Sequence, residues 1–362
     1  MIQSQKLWSI YEPEQQQIEQ LTSQLGVSTI AAKILIARGC KTVEQAAPLL
    51  TVDASQYHDP FLMAGMEEAV ARIEQALESG EKILVYGDYD ADGITSTTVL
   101  LNVLLDLGAD VDFVIPNRFK HGYGPNAELF REAHANGIGL IITVDNGISG
   151  IEPVKLAREL GMDVIITDHH EAGDVLPDAT IIVHPRIPEG HYPFGELAGV
   201  GVAFKLAHAL YGELPDHLFE YVAIGTVADL VPLVGENRYL VQRGLKALQT
   251  SYNPWVPALC EASGANQQDI TEETVGFYFG PRLNAIGRLG DAQPGVEFLM
   301  SESQPDANRL AKQLNDKNTE RKKIVEDIAD EAIALIESTP MLKESLVLVV
   351  AGAVSYTHLT LP

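Results

Sequence analysis

Apolar residues recur at helical spacing along the first fifty positions. Ile18, Leu21 and Leu25 share one face of a segment at 14–25, and Ser28 stands where it would cap a second segment at 29–38. Residues 1–60 read as a small helical N-terminal segment, with 53–60 as its exit linker. From about residue 61 the pattern changes. Short runs rich in Val and Ile at Lys82–Tyr86, 111–115, 140–144, 164–167 and Ile181–Val183 alternate with longer stretches at 95–107, 125–136 and 149–160. Strands alternating with helices of this length predict an α/β fold with a doubly wound, mainly parallel sheet. In such sheets ligands bind beyond the carboxyl ends of the strands.

After residue 193 the pattern is mostly helical up to about 303, which adds a helical subdomain and closes a catalytic domain at 61–303. A charged segment follows at 305–338 with no Gly or Pro between 306 and 338, and it predicts a long connecting helix over 304–340. Its Arg321-Lys322-Lys323 run reads first as the solvated face of that helix and second as a track for nucleic acid. The apolar run at 346–350 predicts a strand that begins a further domain at 341–354. Residues 355–362 show neither turn chemistry nor periodicity, so they are expected to be a non-native tail on a C-terminally truncated chain. Internal repeats and low-complexity tracts are absent from the sequence.

Charge narrows the picture. A chain of 362 residues with 46% hydrophobic and 21% charged residues can bury a sizeable core, which excludes disorder as its main state. Its 50 Asp+Glu against 25 Lys+Arg leave a net charge of −25. That excludes a blanket electrostatic grip on nucleic acid or an anionic membrane, so a bound polyanion needs a local basic patch or metal ions. Two cysteines, Cys40 and Cys260, exclude a disulfide framework and fit a reducing compartment. The N-terminus lacks the apolar core of a signal peptide, and the longest apolar run is about half a bilayer span. A soluble cytoplasmic protein without membrane contact is the expectation.

Four acidic or histidine clusters stand at segment ends. The first, Asp88-Tyr89-Asp90-Ala91-Asp92-Gly93, directly follows the run Lys82–Tyr86. An N-cap explains one aspartate in such a turn, but three repel one another unless cations sit among them. An EF-hand loop would need Glu at the twelfth position, where this chain has Val99. Asp145-Asn146-Gly147 and Asp168-His169-His170-Glu171 end two further runs. In Gly225-Thr226-Val227-Ala228-Asp229, Asp229 interrupts an apolar stretch where an unpaired carboxylate would be costly. Mixed oxygen and nitrogen ligands without thiolates favour Mn²⁺ or Mg²⁺. Two such ions about 3.5–4 Å apart activate water and stabilise the oxygens of an in-line phosphoryl displacement.

In order, these four clusters resemble the motifs of the DHH phosphoesterase family. Pro116-Asn117-Arg118-Phe119-Lys120-His121-Gly122-Tyr123-Gly124, His184-Pro185-Arg186, Leu197-Ala198-Gly199-Val200-Gly201 and Gly280-Pro281-Arg282-Leu283-Asn284-Ala285-Ile286-Gly287-Arg288 are similar to its single-strand-specific 5′→3′ DNA exonucleases. The resemblance covers about 59–350. It implies a two-metal hydrolase of DNA recombination and repair, with metal held by Asp90, Asp92, Asp145, His169 and Asp229 and with Asp88 lining the same site. His170 is implied as a second ligand or a phosphate-facing acid, His184 as a neighbour of the scissile phosphate, and Asp168 as part of the catalytic set. Arg118, Lys120, Tyr123, Arg282, Asn284 and Arg288 are implied to face the substrate. Single-stranded DNA is the implied substrate, a single-strand-binding protein or a helicase the implied protein partner, and a monomer the default state.

Two alternatives stand beside that reading: a short-oligonucleotide or cyclic-dinucleotide phosphodiesterase of the same superfamily, and a non-catalytic replication-complex partner. An inorganic pyrophosphatase fits less well, because its first motif begins with His where this chain has Asp88. The chain departs from the family at residues 351–354, where a second domain and a later oligonucleotide-binding fold are expected and the sequence runs into its tail. Metal binding is expected to survive that departure; strand affinity and processivity are expected to suffer.

Overall fold

The computed structural model describes residues 11–51, 54–187 and 190–339. The expected strand at 346–350, the further domain at 341–354 and the tail at 355–362 lie outside the described residues. Helices α1 (Gln15–Leu25), α2 (Thr29–Ala37) and α3 (Val43–Leu50) close over a small core of their own, made by Ile18, Leu21, Ala32, Leu35, Ile36 and Ala46. The Ser28 hydroxyl accepts from the Ala31 amide at 3.2 Å and starts α2 as the cap expected there.

The chain then alternates α4 (Met66–Ser79), β1 (Lys82–Tyr86), α5 (Ala91–Asp106), β2 (Val111–Val114), α6 (Ala127–Ala135), β3 (Ile138–Val144), α7 (Ile151–Glu159), β4 (Asp163–Thr167) and β5 (Ile181–Val183). All strand pairs are parallel, in the order β2-β1-β3-β4-β5. Alternate side chains of a strand point to opposite faces, and both faces here are covered. Ile83, Val85, Leu140, Ile142 and Val144 join the main core with α4 and α5, while Leu84, Tyr86, Ile141, Val164 and Ile166 pack with α6 and α7. That is why the strands read as continuous Val and Ile runs.

One boundary differs from the periodicity reading. Helix α5 starts four residues before position 95, because Asp90 is its N-cap: Asp90 Oδ1 accepts from the Asp92 and Gly93 amides at 2.9 and 3.1 Å. Asp90 and Asp92 therefore belong to a helix start rather than to an open turn.

Helices α8 (Gly199–Tyr211), α9 (Phe219–Ala228), α10 (Gly235–Thr250) and α11 (Trp255–Ser263) extend the main core. The short α12 (Glu272–Thr274) runs through a π-helical turn, Val275–Phe279, into α13 (Gly280–Leu289), followed by α14 (Gln293–Leu299) and α15 (Gln304–Ser338). The 35 residues of α15 span about 50 Å. Its buried residues, Ala307, Leu310, Ala311, Leu314 and Asn318, all lie in its first half, which packs on α11, α13 and α14. Among the described residues, no helix is long and apolar enough to cross a membrane.

A fully buried ion pair ties the linker to the helical subdomain. Lys205 on α8 pairs with Glu236 on α10, donates to the His58 carbonyl and sits 3.3 Å from the centre of the Tyr57 ring. The Tyr192 hydroxyl and the His58 amide donate to Glu236 at 2.6 and 3.1 Å. Burial pulls the Lys205 ammonium down to about 8 against the pull of Glu236.

Candidate metal centre

Sheet register brings the clusters together. It sets Tyr86 beside Thr143 and Val144 beside Thr167, so the segments leaving β1, β3 and β4 emerge side by side. From β1 the chain steps outward to β2 and then returns across β1 to β3, which makes the β1/β3 boundary the topological switch point where open α/β sheets bind ligands. Asp229 arrives separately, as the C-cap of α9.

Three interlocking groups result: Asp88, Asp90 and Asp145; Asp145, His169 and His170; and Asp92, His169 and Asp229. In each group the potential ligand atoms lie within 4.8 Å of one another. Asp145 and His169 each belong to two groups. His169 Nε2 is 3.1 Å from Asp145 Oδ1, 3.7 Å from Asp229 Oδ2 and 3.8 Å from Asp92 Oδ2. All five carboxylates expected around metal, together with His169, converge on one place.

The protein's own donors leave this cluster unbalanced. Asp88 Oδ1, Asp145 Oδ1 and His169 Nε2 are buried without a hydrogen-bond partner. Burial, reinforced by the Asp90 charge, raises the Asp88 carboxyl to about 8 and that of Asp92 to about 7. Burial and the Asp92 charge raise Asp229 to about 7 and hold Asp145 well above the ordinary range. Burial lowers the His169 pKa, which keeps the imidazole neutral and able to act as a ligand. Asp92 is the best supported: it accepts from the Gly199 and Val200 amides at 2.7 and 2.9 Å, at the positive end of α8.

That approach needs glycine. A Cβ on Gly199 would meet Asp145 Oδ1 at 2.4 Å, and one on Gly225 would meet Asp92 Oδ1 at 2.7 Å. Both glycines stand within motifs of the sequence, where neither had been given a role. The described non-glycine residues with positive φ are Asp145, at 60°, and Leu230, at 64°. Asp tolerates this left-handed region, whereas a leucine there costs roughly 1–2 kcal/mol.

Two of the expected catalytic residues, Asp168 and His184, are held by hydrogen bonds within the chain. Asp168 Oδ1 accepts from the His169 and His170 amides at 2.7 and 3.1 Å and bonds His170 Nδ1 at 2.8 Å, while its Oδ2 accepts from the Ile148 amide at 2.9 Å. Burial alone would raise Asp168, but the His170 hydrogen bond and charge hold it below the usual range. With both oxygens engaged, Asp168 shapes the His169-His170 turn. His184 is buried; its Nδ1 accepts from the Arg186 amide at 3.0 Å and its Nε2 donates to the His170 carbonyl at 2.8 Å. Backbone groups thus occupy both ring nitrogens of His184.

His170 remains half-exposed, with the Tyr123 hydroxyl 3.2 Å from Nε2, and the Asp168 hydrogen bond raises it to about 9. From there an aromatic and cationic path runs outward. The Tyr123 ring stands 5.9 Å from His170 and 6.3 Å from Tyr89, and the Arg118 guanidinium lies 4.4 Å over Tyr89. Burial lowers the pKa of half-buried Arg288, and the neighbouring Arg321 and Arg118 cations add to the effect. Lys120 is exposed in the same loop as Arg118. Arg118, Lys120 and Arg288 form no ion pair among the described residues.

Arg282 is engaged within the helical subdomain. It is buried and donates to Asn315 Oδ1 at 3.1 Å, the Tyr278 carbonyl at 2.7 Å and the Ala262 carbonyl at 3.2 Å. Those bonds join α13 to α11 and α15. The Asn284 Oδ1 accepts from the Ala91 amide at 2.7 Å and steadies the start of α5. Arg321, absent from the expected substrate-facing set, is anchored on Asn318 Oδ1 at 3.1 and 3.2 Å. The Arg-Lys-Lys run was its only sequence signal.

Acids and a histidine gathered from successive strand ends of a parallel sheet are the arrangement of the DHH family. The profile of the DHH family, N-terminal domain, matches residues 82–226, which hold every cluster residue except Asp229. The single-stranded-DNA-specific exonuclease RecJ of Bacillus subtilis is 50% identical over 352 residues, 97% of this chain and 45% of that protein. The crystal structure of RecJ in complex with Mn²⁺ from Thermus thermophilus superposes with a TM-score of 0.74 at 33% identity, covering 88% of this chain and 46% of that one. A crystal structure of exonuclease RecJ bound to manganese gives 0.70 at 36% identity, covering 75% and 70%. The chain belongs to the RecJ family of DHH-domain proteins, and it spans about half the length of the curated relatives it resembles.

Proposed function

We propose that this chain is the catalytic portion of a divalent-metal-dependent, single-strand-specific 5′→3′ DNA exonuclease acting in DNA recombination and repair. The observation that carries this reading is the cluster of five carboxylates and His169, in which Asp88, Asp92, Asp145 and His169 are buried, with three polar atoms left unpartnered and two residues shared between ligand groups. The names of the RecJ relatives and their manganese-bound structures support it. The residues present fit Mn²⁺ or Mg²⁺, since the donor set is oxygen and imidazole nitrogen without sulfur. Asp88, Asp90, Asp92, Asp145, His169 and Asp229 would hold the ions. When bound, they supply an activated water and offset charge on the phosphoryl oxygens.

The remaining groups act on the strand. His170, whose pKa the Asp168 hydrogen bond raises, would donate a hydrogen bond to a phosphate oxygen or serve as a further ligand. Arg118, Arg288 and Arg321, with Lys120 at the rim, supply the local positive patch that a chain of −25 otherwise lacks. Tyr123 and Tyr89 offer faces on which bases of any identity stack. In this reading residues 1–60 are an accessory helical segment, 61–303 the catalytic domain and 304–340 the connector. The protein works in the cytoplasm as a monomer beside a single-strand-binding protein or a helicase.

The test is degradation of a 5′-phosphorylated single strand labelled at its 3′ end, in Mn²⁺, beside duplex and dinucleotide substrates and an Asp145→Asn control. Stepwise loss from the 5′ end, absent for duplex and variant, is the expected result. Cleavage of the dinucleotide alone would favour the short-oligonucleotide phosphodiesterase. No cleavage by a Mn²⁺-loaded wild type would overturn the reading.

A further inference from the structure

Leu230 occupies the position just past the C-cap of α9, one residue beyond Asp229, with φ at 64°. Helices that end in this left-handed conformation ordinarily place glycine there, because a Cβ is strained. Leucine accepts that strain and gains little packing among the described residues, since it is 86% exposed. Its neighbour Asp229 is half-buried and belongs to the ligand group with Asp92 and His169. A strained backbone and an exposed apolar side chain thus coincide at the edge of the carboxylate cluster. Strain retained at a site is a mark of function, and here the backbone geometry alone would be better served by glycine.

We propose that Leu230 is the specificity-determining contact for the nucleobase of the nucleotide held at the carboxylate cluster. This rests on the nuclease reading above and adds to it the residue that covers the apolar face of the base. A leucine side chain has no hydrogen-bonding group, so it reads no base edge and accepts all four bases. It discriminates instead between a nucleotide that carries a base free to lie against it and one that does not.

The experiment compares wild type, Leu230→Gly and Leu230→Ala in this same chain. It measures thermal midpoint, Mn²⁺ affinity by calorimetry, and affinity for a 5′-phosphorylated phosphorothioate oligonucleotide with or without its 5′-terminal base. Leu230→Gly is expected to raise the midpoint by relieving strain, keep Mn²⁺ affinity within about twofold and weaken the oligonucleotide about fivefold or more. Leu230→Ala should lose the same affinity without the rise in midpoint. For the abasic strand both losses should shrink below about twofold. If both variants bind the intact strand like a binding-competent wild type, or lose equally against the abasic strand, the inference is overturned while the nuclease reading stands. A wild type that takes up Mn²⁺ and binds no oligonucleotide would overturn both.

Discussion

Two clusters of buried charge in this molecule behave in opposite ways. Around Lys205 and Glu236 each charge has its counterpart: ammonium meets carboxylate, and a carbonyl, a hydroxyl, an amide and a tyrosine face complete the shell. Around Asp145 five carboxylates, its own included, meet a neutral imidazole, with buried atoms left unpartnered and pKa values driven upward. Both clusters are costly to bury. The first is compensated inside the chain, so it serves to fasten the linker. The second is compensated only by something brought from outside.

The sharpest way to break this contrast is Asp145→Asn, since asparagine tolerates the left-handed backbone while removing the shared charge. Mn²⁺ affinity should fall by about 100-fold or more and turnover should vanish, while the metal-free fold becomes more stable. Calorimetry and thermal melts together read both halves. In the balanced cluster the sign reverses. Glu236→Ala strands the Lys205 cation and should cost about 3–5 kcal/mol in denaturant unfolding, with Mn²⁺ affinity of the folded protein intact.

Titration separates the clusters next. A carboxyl with a raised folded pKa contributes stability that is fully present below its unfolded value near 3.9 and lost as pH rises through the folded one. With Asp92 and Asp229 at about 7 and Asp88 at about 8, the metal-free protein should lose stability between about pH 4 and pH 8. Mn²⁺ should reverse that loss, because it takes the deprotonated carboxylates. Equal melting midpoints at pH 5 and pH 8 without metal would contradict the account.

The smallest effect concerns the arginines outside both clusters. Arg288→Ala or Arg321→Ala should weaken single-strand binding and lower its salt slope by about one, leaving Mn²⁺ affinity unchanged. An unaltered slope would remove that residue from the phosphate path.

Much of this was legible in the sequence because it is local. The Val and Ile runs gave away the parallel sheet, since strands covered on both faces have no polar side to show. The acidic motifs stood out because three aspartates in one turn have no cheap structural reading. Side-chain direction was not legible in the same way. Arg282 and His184 lie in motifs like those of substrate-facing residues, yet one points into the α11, α13 and α15 packing and the other is held by backbone groups of its own loop. Arg321 is brought near Arg288 only by the docking of α15, which no local pattern encodes.

Residue types and spacing alone determined the class of fold, the acidic character and the inventory of possible ligands, because periodicity and charge are properties of neighbours along the chain. Tertiary structure decided which ligands are shared, which donors are already engaged, and where glycines let α8 and α9 pack against Asp145 and Asp92. Those outcomes depend on distances between segments far apart in sequence, and hydrogen bonding and burial act through distance in space.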